Sequence, residues 1–318
     1  MNTNLNLPNY IIVLGTTYSG CTAVYDYFNG RGDLHAPLIG EEYLLPQIPF
    51  GLMSLEASAG NAFNSSSAEF ALSKFGDIVE KLTRPKTFWC NGKGYGKKLP
   101  LFEKSVRKFL KEICIVNYPM QLEWRRLMAS ISERLLLQIK QRLGLMKVAP
   151  QARLLVSKDE LIFSAQKMHN EIFQKNSKGR PILLDMANAG WNPIESTKYF
   201  SNRKIIIVIR DPRDQFVELK QFKKASSVEG FVVWYEEMQK RLNKFYDPCI
   251  MKVQFEEFVN KNEKIVNEFC KHVSLSSSVT SKYHSSLSKK NVGKYQDHLS
   301  QRELNIIEEK LSKYFYVE

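Results

Sequence analysis

Four short apolar runs constrain the fold more than any other feature of the chain: YIIVLG (Tyr10–Gly15), ILLD (Ile182–Asp185), KIIIVI (Lys204–Ile209) and IMKVQF (Ile250–Phe255). A strand with no polar alternation is buried on both faces, the mark of a parallel sheet covered by helices. Helical patterns lie between the runs. Ala23, Val24, Tyr27 and Phe28 follow Thr22 at helical spacing and end at Gly30 and Gly32. Val228–Phe245, Glu256–His272 and Ser300–Phe315 are also predicted helical, the last with Ser300 and Glu303 in capping-box spacing. A further extended segment is expected around Leu34–Ile39. This alternation predicts a three-layer α/β fold with a mainly parallel central sheet. Phe109, Leu110, Ile113, Leu127, Ile131, Leu135 and Ile139 predict a helical insertion over about 101–145, lying over the sheet within a single domain spanning 1–318.

Composition removes several classes. Hydrophobic residues at 43% and charged residues at 25% exclude disordered and fibrous chains. The longest apolar run, Ile205–Ile209, is bounded by Lys204 and Arg210 and falls far short of the ~20 residues that cross a bilayer. The opening MNTNLNLPNY has no basic flank and no apolar stretch, so no secretory signal is expected. Five scattered cysteines offer no CxxC pair, which predicts no metal site and a reducing, cytoplasmic setting. With 46 Lys+Arg against 33 Asp+Glu the net charge is +13, which favours an anionic partner.

Three segments carry chemistry. In GTTYSGCT, Gly15, four residues, Gly20 and then Cys21-Thr22 give P-loop spacing with Cys21 in the lysine position. Main-chain N–H groups at the start of the following helix still converge on an anion. The ammonium that neutralises β- and γ-phosphates is missing, which disfavours a nucleotide kinase or ATPase. In RKIIIVIRDPRDQFVEL, Arg210 stands at the carboxyl end of a buried strand, where ligands of open α/β sheets bind, and offers a rigid cationic fork. The third segment, NVGKYQDHLS, covers Asn291–Ser300.

In this order the three segments resemble the sulfotransferases that use 3′-phosphoadenosine 5′-phosphosulfate (PAPS), in particular the carbohydrate sulfotransferases with a P-loop-like fold. The likeness covers both ends of the chain and the sheet, and is absent from about Phe50 to Gln174. It implies that Thr17, Tyr18, Ser19, Gly20, Cys21 and Thr22 cradle the 5′-phosphosulfate. It implies that Arg210 holds the 3′-phosphate and that Lys289, Lys290, Gly293 and Lys294 border the nucleotide, with PAP released as product. Two positions depart from the family pattern. Tyr18 stands where Lys or Arg is usual, removing a cation near the bridging oxygen. Glu218 stands where Ser is usual, and a carboxylate ~4 Å from a phosphate costs about 4 kcal/mol at an effective dielectric near 20. Glu218 must therefore turn away, pair with Lys220 or Arg213, or mark an altered nucleotide.

The acceptor hydroxyl needs a base. In LHAPLIGEEYLLP, Glu41 aligns best with the family's base, Glu42 is next and His35 third. Asp185, Asn188 and Trp191, in DMANAGWN, are expected to line the acceptor or donor site, and Trp89 and Tyr95, in FWCNGKGYGKK, suit a sugar or anionic acceptor. The expected activity is sulfuryl transfer from PAPS to a hydroxyl of a saccharide or glycoconjugate, with no nucleic acid as partner. The alternatives are a P-loop kinase or ATPase, and a non-catalytic nucleotide- or polyanion-binding protein.

Overall fold

Six strands form along the chain: β1 (Tyr10–Gly15), β2 (Cys114–Pro119), β3 (Gln151–Leu155), β4 (Ile182–Met186), β5 (Arg203–Ile209) and β6 (Ile250–Gln254). The computed structural model describes residues 9–60, 64–119, 129–145, 151–260 and 262–317. Its longer helices are α1 (Cys21–Arg31), α2 (Ser65–Thr83), α3 (Phe102–Ile113), α4 (Ile131–Arg142), α5 (Lys158–Phe173), α6 (Pro212–Gln221), α7 (Val228–Leu242), α8 (Asn262–His272) and α9 (Gln301–Leu311). By proximity of the backbone the chain divides into two compact units, Met1–Leu44 with Phe173–Glu318, and Leu45–Ile172.

The first unit is built on a four-stranded sheet in the order β4-β1-β5-β6, with every neighbouring pair parallel. The two-residue period of a strand splits its apolar side chains between the faces. Ile11, Val13, Leu183, Ile206, Val208 and Val253 share a core with Val24 and Phe28 of α1, with Phe258, and with Ile265 and Phe269 of α8. On the other face Tyr10 meets the rings of Phe173 and Phe200 at 6.3 and 5.1 Å. Both faces are covered, and the protein is a three-layer α/β structure with a parallel central sheet. Each fully buried aliphatic side chain stabilises this arrangement by roughly 1.5–3 kcal/mol. Because all four strands run the same way, their carboxyl ends share one edge, which receives Gly15, Met186 and Arg210.

Several elements match their sequence signals closely. Gly32 ends α1 in the left-handed conformation at φ 78°, and Ser300 with Glu303 forms the capping box that opens α9. The extended segment expected at Leu34–Ile39 is reduced to one bridge, His35 to Ile182.

The second unit holds α2 to α5 and an antiparallel pair, β2 with β3. The span 101–145, expected to be wholly helical, contains α3 and α4 but also β2. The chain leaves the helical period after Ile113: Cys114 and Val116 pair with Leu155 and Leu154 of β3 across a register shift at Ile115, in a segment whose β-branched side chains favour a strand. Leu127 lies outside the described residues.

Candidate active site

The first strand turns into its helix through a loop that two glycines make possible. A Cβ on Gly15 would stand 2.2 Å from Ser19 Oγ, and one on Gly20 would stand 2.4 Å from the Phe255 ring. The turn closes on itself: Ser19 N–H donates to the Thr16 carbonyl (2.8 Å), and Thr16 N–H donates to Ser19 Oγ (3.2 Å). Tyr18 and Gly20 are left-handed, at φ 62° and 84°. That conformation costs a non-glycine residue roughly 1–2 kcal/mol, so Tyr18 must be held in place from outside. Two side chains hold it. Gln215 Nε2 donates to the Thr17 carbonyl at 2.6 Å, and Arg210 Nη1 donates to the Tyr18 carbonyl at 3.1 Å. A trans peptide sets N–H opposite C=O, so fixing the Thr17 carbonyl turns the Tyr18 N–H the other way. No side chain caps α1 and its first turn holds no acidic residue. An anion is thus favoured there by the helix dipole. Cys21, in the lysine position of a P-loop, is buried, and its thiol is pushed far up by desolvation, with Asp185 and Glu42 adding to the effect. It is a neutral group at any physiological pH.

Arg210 follows β5 at the same edge, with a guanidinium turned inward. Besides Tyr18, it donates through Nη2 to the Asn291 carbonyl at 2.7 Å, lies 5.1 Å over the Phe255 ring, and stands 3.7 Å from Glu218. Its side chain is 4% exposed, and Nε has no hydrogen-bond partner among the described residues. Glu218 is indeed paired, but its partners are Lys294 at 2.7 Å and Arg210. Lys220 bonds Glu303, and Arg213 bonds Asp211. Gly293 N–H donates to Asp214 Oδ2 (2.7 Å) and Tyr295 N–H to Oδ1 (3.0 Å), so the buried Asp214 fixes the 291–295 segment. Lys289 and Lys290 are exposed beside this segment. Arg210, Glu218, Gly293 and Lys294 lie together here. Glu218, however, is shared between the two cations and offsets only one of them.

A second cluster lies at the carboxyl end of β4. Thr17 Oγ1 donates to Asn188 Oδ1 at 3.1 Å, and Asn188 Nδ2 donates to Glu42 Oε2 at 3.4 Å. Tyr43 N–H donates to the Asp185 carbonyl at 2.8 Å, which pins the chain after Glu42 to the strand end. Glu42 is thus the carboxylate linked to the loop between β1 and α1. Glu41 N–H instead bonds the Leu38 carbonyl within its own turn. His35 pairs at the amino end of β4, the far end from Asn188, and burial together with Arg180 keeps its imidazole below the usual range.

Asp185 is almost fully buried, with Oδ1 lacking a hydrogen-bond partner among the described residues. Burial first, then Glu42 and Asp26, push its carboxyl up to about 7. The consequence for stability has a definite sign. Below pH ~4, near the ordinary aspartate value, Asp185 is protonated in both states and costs nothing. Between about 4 and about 7 only the unfolded chain gives up the proton, so stability falls as pH rises. Asp185→Asn is expected to gain on the wild type steadily across that window in urea denaturation. Glu256, also pushed up to about 7 by burial, leaves a residual slope in both proteins.

Beside the loop opens a cleft of about 470 Å³, walled by Thr17, Leu219, Lys224, Ser227, Phe231 and Trp234. Trp191 packs edge-on behind Trp234 (5.7 Å), with the Arg241 guanidinium 5.9 Å from its ring. The Tyr18 ring lies stacked on Phe222 at 4.9 Å. Trp89 and Tyr95, expected near the acceptor, belong to the second unit. Tyr95 is fully buried edge-on to Phe102, which makes it a core residue, and Trp89 is 91% exposed. Sequence reasoning passed over Gln215 and Asp214. The one signal for them was two polar residues entering α6 where an apolar face was due.

No family model matches the chain, and no curated protein matches it in sequence. Among solved structures, a sulfotransferase domain from the olefin synthase of Synechococcus PCC 7002 aligns over 98% of this chain and 97% of its own, at 12% identity and a TM-score of 0.44. A sulfotransferase domain from the curacin biosynthetic pathway aligns over 98% and 99%, at 10% identity and 0.42. A sulfotransferase of Mycobacterium avium aligns over 98% and 78%, at 13% identity and 0.39.

Proposed function

We propose that the chain is a PAPS-dependent sulfotransferase acting on a hydroxyl of a saccharide or glycoconjugate. The observation that carries this reading is the chain Glu42–Asn188–Thr17, which ties a carboxylate to an anion-receptive loop at the carboxyl edge of a parallel sheet. PAPS supplies an activated sulfuryl group on a 5′-phosphate. The loop from Thr17 to Thr22 fits that end, because its carbonyls are drawn back by Gln215 and Arg210 and the first turn of α1 offers no competing acid. Glu42 accepts the proton of the acceptor hydroxyl as that oxygen bonds to sulfur and the bond from sulfur to the phosphate oxygen breaks. Asn188 orients Glu42. Asp185, holding its proton up to about pH 7, adds no second negative charge beside the base in acid.

At the 3′ end the fit differs from the family pattern. Arg210 acts through the Tyr18 carbonyl, and the exposed Lys289 and Lys290 are left to meet the 3′-phosphate. The aromatic wall of Phe231 and Trp234, beside Ser227 and Lys224, suits a sugar ring carrying polar or anionic groups. The whole chain is read as one sulfotransferase-like domain with its middle region inserted. Five free thiols fit a reducing, cytoplasmic setting.

A second reading, a non-catalytic nucleotide- or polyanion-binding protein, draws support from the closed set Arg210–Glu218–Lys294. A kinase or ATPase is disfavoured by the neutral, buried Cys21 thiol where such chemistry places an ammonium. Calorimetry with PAP, ATP and heparin distinguishes the three. PAP binding that is indifferent to Mg²⁺, with no ATP binding, is the expected result. Heparin binding that collapses with salt while PAP is ignored would favour the second reading.

A further inference from the structure

The second unit carries a turn whose composition inverts the usual rule. Lys86 and Asn91 form an antiparallel bridge. Thr87 N–H donates to the Cys90 carbonyl at 2.7 Å, and Cys90 N–H returns to the Thr87 carbonyl at 3.3 Å and its Oγ1 at 3.1 Å. These bonds close a hairpin whose two tip residues are Phe88 and Trp89. Turn tips ordinarily hold Gly, Asn, Asp or Pro. Here two large aromatics occupy the tip, 92% and 91% exposed, their rings edge-on to each other at 4.9 Å. The base of the hairpin is fixed. Gly94 N–H donates to the Arg84 carbonyl at 2.7 Å, and a Cβ on Gly92 would lie 2.0 Å from that same oxygen. The aromatic pair is therefore held outward by a built turn.

Charge identifies what such a tip meets. Residues 81–98 contain Lys81, Arg84, Lys86, Lys93, Lys97 and Lys98 and no acidic residue. Glu80 offsets Arg84 through a salt bridge, while Lys81, Lys86, Lys97 and Lys98 are exposed. An indole settles at headgroup depth, an apolar Phe ring inserts beside it, and neighbouring lysines gain from anionic lipid phosphates. We propose that this hairpin docks the protein on an anionic lipid bilayer, with Phe88 and Trp89 inserted at the interface and the surrounding lysines on lipid phosphates. Helix α4 of the same unit has matching chemistry. Ile131, Leu135 and Ile139 repeat every four residues and are more than half exposed, and Arg134, Lys140 and Arg142 outnumber Glu133. A second copy of the chain is a poorer occupant, because two such cationic rings repel.

The test is co-sedimentation of the full chain with vesicles of phosphatidylcholine alone, and of phosphatidylcholine mixed with phosphatidylglycerol. Pelleting is expected with the anionic vesicles only. It should weaken steeply in 1 M salt, where the Debye length is about 3 Å. The double substitution F88S/W89S should lower the partition coefficient at least about tenfold, since it removes two inserted apolar side chains. Both residues are exposed, and circular dichroism confirms that the variant is folded. The proposal fails if the variant pellets like the wild type, or if anionic vesicles pellet neither protein. It fails equally if sedimentation equilibrium without lipid shows self-association that F88S/W89S abolishes.

Discussion

Arg210→Ala is expected to lower the free energy of unfolding by about 3 kcal/mol, because two carbonyls each lose a charged hydrogen bond worth roughly 1.5–3 kcal/mol. Three losses coincide. The carbonyls of Tyr18 and Asn291 lose a charged donor inside the fold, Glu218 keeps Lys294 as its ion-pair partner but loses Arg210, and the Phe255 ring loses a stacked cation. A charged hydrogen bond alone contributes roughly 1.5–3 kcal/mol, so the figure does not require all of them at full value. Arg210→Lys should recover only part, because a single ammonium does not reach two carbonyls and an aromatic face as a planar fork does. Urea denaturation followed by circular dichroism measures the difference. A loss below about 1 kcal/mol, the level of an exposed ion pair, would show that the network is solvated in solution and that Arg210 is free for a ligand. PAP affinity should fall along with stability, since releasing the Tyr18 carbonyl frees the strained turn whose amides are proposed to hold the donor.

Local signals were legible where a residue's role is settled by its near neighbours in the chain. The strand, glycine turn and helix from Tyr10 to Phe28 could be placed from spacing, as could the capping box at Ser300 and the glycine stop at Gly32. What the sequence withheld was the direction of long side chains. Arg210 finds its carbonyls 192 and 81 residues away, and Glu218 finds Lys294 76 residues away, so no local pattern links them. Lys220 and Arg213 were nearer in the chain and were the natural guess for Glu218, yet each had a carboxylate of its own. Tyr95 misled for a related reason. Glycines and lysines around an aromatic resemble a binding loop, but Gly92 packs under the Arg84 carbonyl and the chain turns the ring inward to Phe102. The helical period that runs through Phe109 and Ile113 stops at Cys114, because β3, some 40 residues on, supplies a strand partner.

Glu42→Gln is expected to lower sulfuryl-transfer turnover by roughly 10²–10⁴ while leaving PAP affinity unchanged, the range for losing a general base. The affinity should hold because the hydrogen-bonded link from Glu42 to the loop runs through Asn188 and Thr17, and glutamine keeps an oxygen to accept from Asn188 Nδ2. Glu41→Gln is the control. Its backbone closes a local turn and it sits one residue before the cluster, so turnover should stay within a few-fold of wild type. Asp185 adds a signature in pH. As pH rises through about 7 it ionises beside Glu42, and the second negative charge strengthens the basicity of the first while crowding an anionic donor. Asp185→Asn should remove that limb of the rate profile and spare the one set by the base. Transfer from radiolabelled PAPS to a mixed saccharide panel, followed across pH for the four proteins, measures each of these. If Glu41→Gln abolishes transfer while Glu42→Gln does not, the carboxylate facing the phosphate loop has been given the wrong task, and the link through Asn188 is a structural brace between strand end and loop.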